Sequence, residues 1–139
     1  MNEIRTDTPL PRLMIVDDEE CIRTTVKELF SFEGIEVATA SGANDCLTLL
    51  RAGFRGVILM DVMMPGKDGW ETIRTIQQEG LLSGNIIIML TALDAPDERM
   101  DGLQELVLDY ITKPFMPDEI FSCVRRYLQF LDDAIKLEA

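Results

Sequence analysis

The chain has 139 residues, 47% of them hydrophobic and 27% charged, with a formal net charge of −12. That length suits one domain able to bury about two-thirds of its unfolded surface, and the excess of carboxylates repels phosphate backbones and anionic lipid, which argues against direct binding to nucleic acid or a membrane surface. The chain holds no histidine, so it cannot carry a phosphohistidine, use a histidine base or build a Ser-His-Asp triad, and the scattered Cys21, Cys46 and Cys123 offer no zinc ligand set.

Residues 1–11 are polar and read as a flexible N-terminal segment, with a single domain over residues 12–139. Leu13–Val16 is a continuous apolar run, as expected of a parallel strand buried on both faces. Glu20–Phe32 follows as a helix with Ile22, Val26, Leu29 and Phe30 on one face, and Gly34 is placed to end it in a left-handed cap. Ile35–Ala38 reads as a short second strand. Ser41 is positioned to cap a helix whose inner face is Cys46, Leu47, Leu49 and Leu50, closed by Gly53.

Val57–Met60 is the third strand, and a helix from Gly69 or Trp70 to about Glu79 turns Ile73 and Ile76 inward. After the turn at Ser83-Gly84-Asn85 comes the fourth and most apolar strand, Ile86–Leu90. A helix from about Pro96 to Glu105 carries Met100 and Leu103, and Leu108–Thr112 is the fifth strand. Pro117 suits the first turn of a last helix with Ile120, Val124, Tyr127, Leu128 and Leu131 on one face. Five strand–helix units of this length predict an α/β fold with a five-stranded parallel sheet, right-handed crossovers and helices on both faces. Reduced thiols in a cytoplasmic protein are expected from the isolated cysteines and the lack of a signal peptide, and no apolar run approaches the ~20 residues that span a bilayer.

Several polar residues stand at the ends of the apolar runs: Asp17-Asp18 after the first, Asp61 after the third, Thr91-Ala92 after the fourth and Lys113-Pro114 after the fifth. Each has an ordinary explanation by itself. An acidic pair before a helix is usually a cap, Asp61 a turn residue, Thr91 a β-former with its hydroxyl bonded locally, and Lys113 a surface lysine. Parallel strands, however, present their C-terminal ends on one edge of the sheet, where α/β ligand sites form. Three carboxylates, a hydroxyl and a lysine brought together there suit Mg²⁺ and a phosphoryl group, because transfer to a carboxylate needs a nucleophile, a hard cation, and donors for the phosphoryl oxygens.

In this combination, over about residues 12–131, the chain resembles the response-regulator receiver domains (CheY-like) of two-component signalling. The residues that carry the resemblance are Asp17-Asp18, Asp61 within the run from Leu59 to Gly69, Thr91-Ala92, and Asp109-Tyr110-Ile111-Thr112-Lys113-Pro114-Phe115. It implies a flavodoxin-like (βα)5 doubly wound sheet and a phosphoacceptor at Asp61, fed by a sensor histidine kinase or a histidine phosphotransfer protein. It further implies Mg²⁺ held by Asp18, Asp61 and the Met63 backbone carbonyl, with Asp17 acting mainly through water. Lys113, Thr91 and Ala92 would contact the phosphoryl group, and Thr91 and Tyr110 would form the switch. The Lys-Pro bond is commonly cis in the family. The reporting surface would be the fourth helix, fifth strand and fifth helix, addressing a downstream protein as a monomer or a phosphorylation-dependent dimer. No output domain is expected within the chain.

Two departures from the family pattern stand out. Leu106-Val107-Leu108 replaces a small pair before Asp109-Tyr110, and reads either as an apolar docking surface or as added core, the latter favoured because Leu106 and Val107 continue the preceding helix stripe. Met63 and Leu93 are apolar where polar residues accompany fast hydrolysis, which predicts a long-lived phosphoryl group. A Mg²⁺-dependent phosphatase with an aspartyl nucleophile is the chemical rival, but its usual second acid would fall on Met63, which cannot transfer protons. An interaction module indifferent to phosphate is another, against which the clustered carboxylates stand. A nucleotide site is least favoured, since neither GxxxxGK[ST] nor GxGxxG occurs.

Overall fold

The computed structural model describes residues 11–92 and 102–138. Five strands, β1 (Leu13–Val16), β2 (Val37–Ala40), β3 (Val57–Asp61), β4 (Ile86–Ala92) and β5 (Val107–Lys113), form one parallel sheet in the order β2-β1-β3-β4-β5. The helices are α1 (Glu20–Ser31), α2 (Ala43–Arg51), α3 (Gly69–Gln78) and α4 (Pro117–Glu138), with a 3₁₀ turn at Leu103–Leu106. Alternation along the strands divides the core in two. Leu13, Ile15, Leu59, Ile88 and Leu90 pack under α1 and α4 with Val26, Phe30, Ile120 and Val124. Met14, Val16, Ile58, Met60 and Met89 pack on the other face with Leu47, Leu50, Trp70, Ile73 and Leu103. Both faces of the central strands are covered, which is why β1 and β3 are apolar without alternation.

The chain leaves β1 first outward to β2 and then back across to β3. The strand order therefore reverses between β1 and β3, and the crevice of such a sheet opens at the C-terminal ends of those two strands. Asp17 and Asp61 stand there.

Three expected boundaries are corrected. The second strand runs Val37–Ala40 rather than Ile35–Ala38, because Ile35 still serves helix α1. Its N–H donates to the Phe30 carbonyl while that of Gly34, at φ +75°, donates to Ser31, the paired bonds of a Schellman cap in which glycine takes the left-handed conformation without penalty. Ser41 does not cap α2. Gly42 holds the capping position, and the Ser41 hydroxyl and N–H both donate to Asp45. Residues 103–105 are not α-helical: Gly102 is left-handed at φ +81° and a 3₁₀ turn follows. Residues 96–101 of the expected helix, and Leu93, lie outside the described residues.

The 3₁₀ turn explains Leu106-Val107-Leu108. Side chains three apart eclipse in a 3₁₀ helix, so Leu103 and Leu106 both join the core, together with Val107. Strand β5 then bulges: Val107 pairs with Ile87 and Asp109 with Ile88, leaving Leu108 over as the extra residue, 48% exposed. The three apolar residues are therefore split: Val107 is buried, Leu106 is partly buried against the core and Leu108 is turned out. Cys21, Cys46 and Cys123 are all unpaired, and among the described residues no helix is long and apolar enough to cross a membrane.

Candidate functional site

Strand β1 is fully buried and delivers Asp17, with 0% exposure, onto the crevice. Its N–H continues the ladder to the Ala40 carbonyl at 3.1 Å, its Oδ1 accepts from the Glu19 N–H at 2.9 Å, and the Arg23 guanidinium donates to its carbonyl at 2.7 Å. The carboxylate therefore has little rotational freedom. Asp18 is exposed on the open side. Strand β3 delivers Asp61, 4% exposed, whose Oδ1 accepts from the Met63 N–H at 3.3 Å.

Helix α3 fixes the far wall. Asp68 and Glu71 form a reciprocal capping box at its start, and the Gly69 N–H donates to Val62. A Cβ on Gly69 would lie 2.4 Å from the Asp61 carbonyl oxygen, so glycine is what lets the helix start against the backbone of Asp61.

Strand β5 brings the cation. Lys113 Nζ donates to Asp17 Oδ2 at 2.8 Å and lies 3.2 Å from Asp61 Oδ1 and 3.9 Å from Glu19 Oε1. The Lys113-Pro114 bond is cis. Asp17, Asp18 and Asp61 each place a carboxylate oxygen within 4.8 Å of the others. Burial, then the charge of Asp17, push the Asp61 carboxyl up to about 6, although Lys113 and the Met63 N–H pull the other way. The lysine does not prevail because it is shared with Asp17 and sits in the same desolvated space. Burial opposes the charge of Lys113 too, but its bond to Asp17 and the nearby Asp61 carboxylate hold the ammonium above its ordinary range.

The residues expected at this site are thus partly assembled. Asp17, Asp18, Asp61 and Lys113 form one cluster. Thr91 and Ala92 end the neighbouring strand, paired with Thr112 and Lys113, but the Thr91 hydroxyl donates to the Ala92 carbonyl at 3.4 Å, a local bond. Tyr110 lies on β5 opposite Met89, 44% exposed, with its N–H on Asp109 Oδ1. The Met63 side chain points out, 64% exposed. Sequence reasoning missed Arg23, which anchors the Asp17 backbone, and Glu19 at the rim. Arg23 looked like any helix-surface arginine, and only the packing of α1 beside β1 gives it this role.

The donors fit a hard divalent cation: the candidate ligand atoms of Asp17, Asp18 and Asp61 are all carboxylate oxygens, with neither sulfur nor imidazole among them. Burial first, and then the charge of Asp17, disfavour the ionised Asp61, and a bound cation would favour it.

Comparison with known proteins agrees with this geometry. Residues 13–125 match the response regulator receiver domain family. The "Probable transcriptional regulator ycf27" of Porphyra purpurea is 36% identical over 121 residues, 87% of this chain and 49% of that protein. The "Response regulator MprA" of Mycolicibacterium vanbaalenii is 33% identical over 118 residues, 85% of this chain and 50% of that protein. The chain spans about half the length of these curated relatives. Among solved structures, the response regulator receiver domain protein (CheY-like) of Methanospirillum hungatei JF-1 superposes with a TM-score of 0.84 at 45% identity, covering 87% of this chain and 96% of that one. The chemotaxis protein CheY4 of Vibrio cholerae gives 0.75 at 27% identity, over 86% and 100% of the two chains.

Proposed function

The chain belongs to the response regulator receiver domain family, and on that premise we propose that it is a phosphorylation-switched receiver that takes a phosphoryl group onto Asp61 from the phosphohistidine of a kinase or phosphotransfer protein. The observation that carries this reading is the convergence of Asp17, Asp18, Asp61 and Lys113 at the β1/β3 crevice. An Asp61 carboxylate oxygen attacks phosphorus, the P–O bond forms as the P–N bond breaks, and the imidazole leaves to the donor. Lys113, already 3.2 Å from Asp61, pairs with the phosphoryl oxygens as they arrive. Mg²⁺, when bound, neutralises charge on the carboxylates and the phosphoryl group, and Asp18, Asp61 and the Met63 carbonyl would hold it, with Asp17 acting through water. The only reaction the site performs is on itself.

Phosphorylation supplies a better acceptor for Thr91 than the Ala92 carbonyl it now uses at 3.4 Å. Drawing Thr91 toward Asp61 changes the end of β4, and Tyr110 on the paired strand β5, 44% exposed, changes rotamer with it. A pre-existing equilibrium is thereby biased on the β5 and α4 face for a downstream protein, through a monomer or a phosphorylation-dependent dimer. The phosphatase alternative lacks its second acid, because Met63 stands in that place.

The test is intact mass after incubation with Mg²⁺ and acetyl phosphate, beside Asp61→Asn and an EDTA control. One metal-dependent phosphate that the substitution removes is expected. A phosphate that survives Asp61→Asn, or no phosphate together with no Mg²⁺-dependent thermal shift, would refute the reading.

A further inference from the structure

We propose that Met63 is a redox-modification site: a hydroperoxide converts its thioether to the sulfoxide, and the sulfoxide shortens the life of the phosphoryl group on Asp61. The second half rests on the function proposed above.

Methionine ordinarily fills irregular gaps in cores, and four of the described methionines do so. Met14, Met60 and Met89 are 0% exposed and Met64 is 7% exposed. Met63 at 64% and Met116 at 69% are the exceptions among the described residues. A peroxide reaches sulfur where sulfur is exposed, so these two are the candidates, and their surroundings separate them. Met116 donates its N–H to Glu119 at the start of α4, not to the nucleophile. Met63 donates its N–H to Asp61 Oδ1 itself. Its side chain also borders a hollow of about 500 Å³ shared with Met64, Pro65, Gly66, Asp68 and Glu71, which gives an added oxygen room without disturbing the core.

The chemistry is a two-electron oxygen transfer. The sulfur lone pair attacks one oxygen of the hydroperoxide, the S–O bond forms and the O–O bond breaks. Sulfur is oxidised, the peroxide is reduced, and the second peroxide oxygen leaves as alcohol or water with the proton. The thioether is a weak acceptor and a soft ligand that neither orders water nor attracts a hard cation. The sulfoxide is polar, and its oxygen is a strong acceptor. Two residues from Asp61, it can hold a water by one hydrogen and turn the lone pair toward the acyl phosphate. The neighbouring Met60 and Met64 are shielded, so the change is confined to the rim.

The experiment treats the metal-free protein with hydrogen peroxide, maps oxidation by peptide mass spectrometry, then adds Mg²⁺ and acetyl phosphate and follows decay of the phosphoryl group. Met63→Leu and Met116→Leu are each compared with their own untreated samples. Oxidation is expected at Met63 and Met116 ahead of the buried methionines. Decay should quicken on the order of threefold or more in the wild type and Met116→Leu, short of the roughly 10²–10⁴ of a dedicated general base, and stay unchanged in Met63→Leu. Methionine sulfoxide reductase should restore the slow decay. A shielded Met63 in the peptide map, decay that oxidation leaves alone, or the same acceleration in Met63→Leu would overturn the proposal. A failure of the untreated wild type to take phosphate, together with no Mg²⁺-dependent thermal shift, would instead overturn the receiver reading beneath it, and the effect on lifetime with it.

Discussion

Asp61→Asn should make the metal-free protein more stable at neutral pH. Burial and the neighbouring Asp17 raise the Asp61 carboxyl from 3.8 to about 6, so the folded state resists ionising a group that the unfolded chain ionises freely. Between pH ~4 and ~6 the folded state holds more protons than the unfolded one, and stability falls as pH rises through that window. A shift of that size corresponds to roughly 3 kcal/mol above pH 7. Asparagine keeps the shape and removes the charge, but it also weakens the contact with Lys113, which retains Asp17 at 2.8 Å. The net gain should be about 1–2 kcal/mol, raising Tm by roughly 3–8 °C for a domain of this size. The assay is thermal and urea unfolding in EDTA at pH 7.5 and pH 4, wild type beside Asp61→Asn. Most of the gain should vanish at pH 4, where the wild-type carboxyl is protonated when folded. A destabilised Asp61→Asn at pH 7.5, or a gain equally large at both pH values, would refute the electrostatic account.

Mg²⁺ should stabilise the wild type by about 1.4 kcal/mol at ten times its Kd, and Asp61→Asn should lose this shift in the same melts. Lys113→Met leaves the fully buried Asp17 without its cation and should cost about 2–4 kcal/mol in urea unfolding; a cost near zero would show that solvent already screens the pair. Gly69→Ala would put a Cβ 2.4 Å from the Asp61 carbonyl oxygen. It should cost about 2 kcal/mol by overpacking and weaken Mg²⁺ binding measured by calorimetry, and an unchanged affinity would mean that helix α3 does not position Asp61.

The sequence by itself determined the doubly wound sheet and the edge at which Asp17, Asp18, Asp61 and Lys113 meet. Runs such as Leu13–Val16 and Val57–Met60 are legible because burial on both faces demands unbroken apolarity, and parallel topology obliges residues at their C-terminal ends to share an edge. It also anticipated Pro117 at the start of the last helix and the left-handed Gly34, since those are local requirements of the backbone. What it could not supply were properties set by which partner a residue meets once the elements are formed and packed. Ile35 looks like a strand residue until the Schellman cap claims it. Leu108 looks like its apolar neighbours until the β5 bulge turns it out. Arg23 looks like a solvent-facing arginine until α1 packs its guanidinium onto the Asp17 carbonyl. The charge state of Asp61 was likewise undetermined by its residue type. Burial and the approach of Asp17 and Lys113, across 44 and 52 positions of the chain, set it, because electrostatic energy depends on distance and dielectric, and both are properties of the folded molecule.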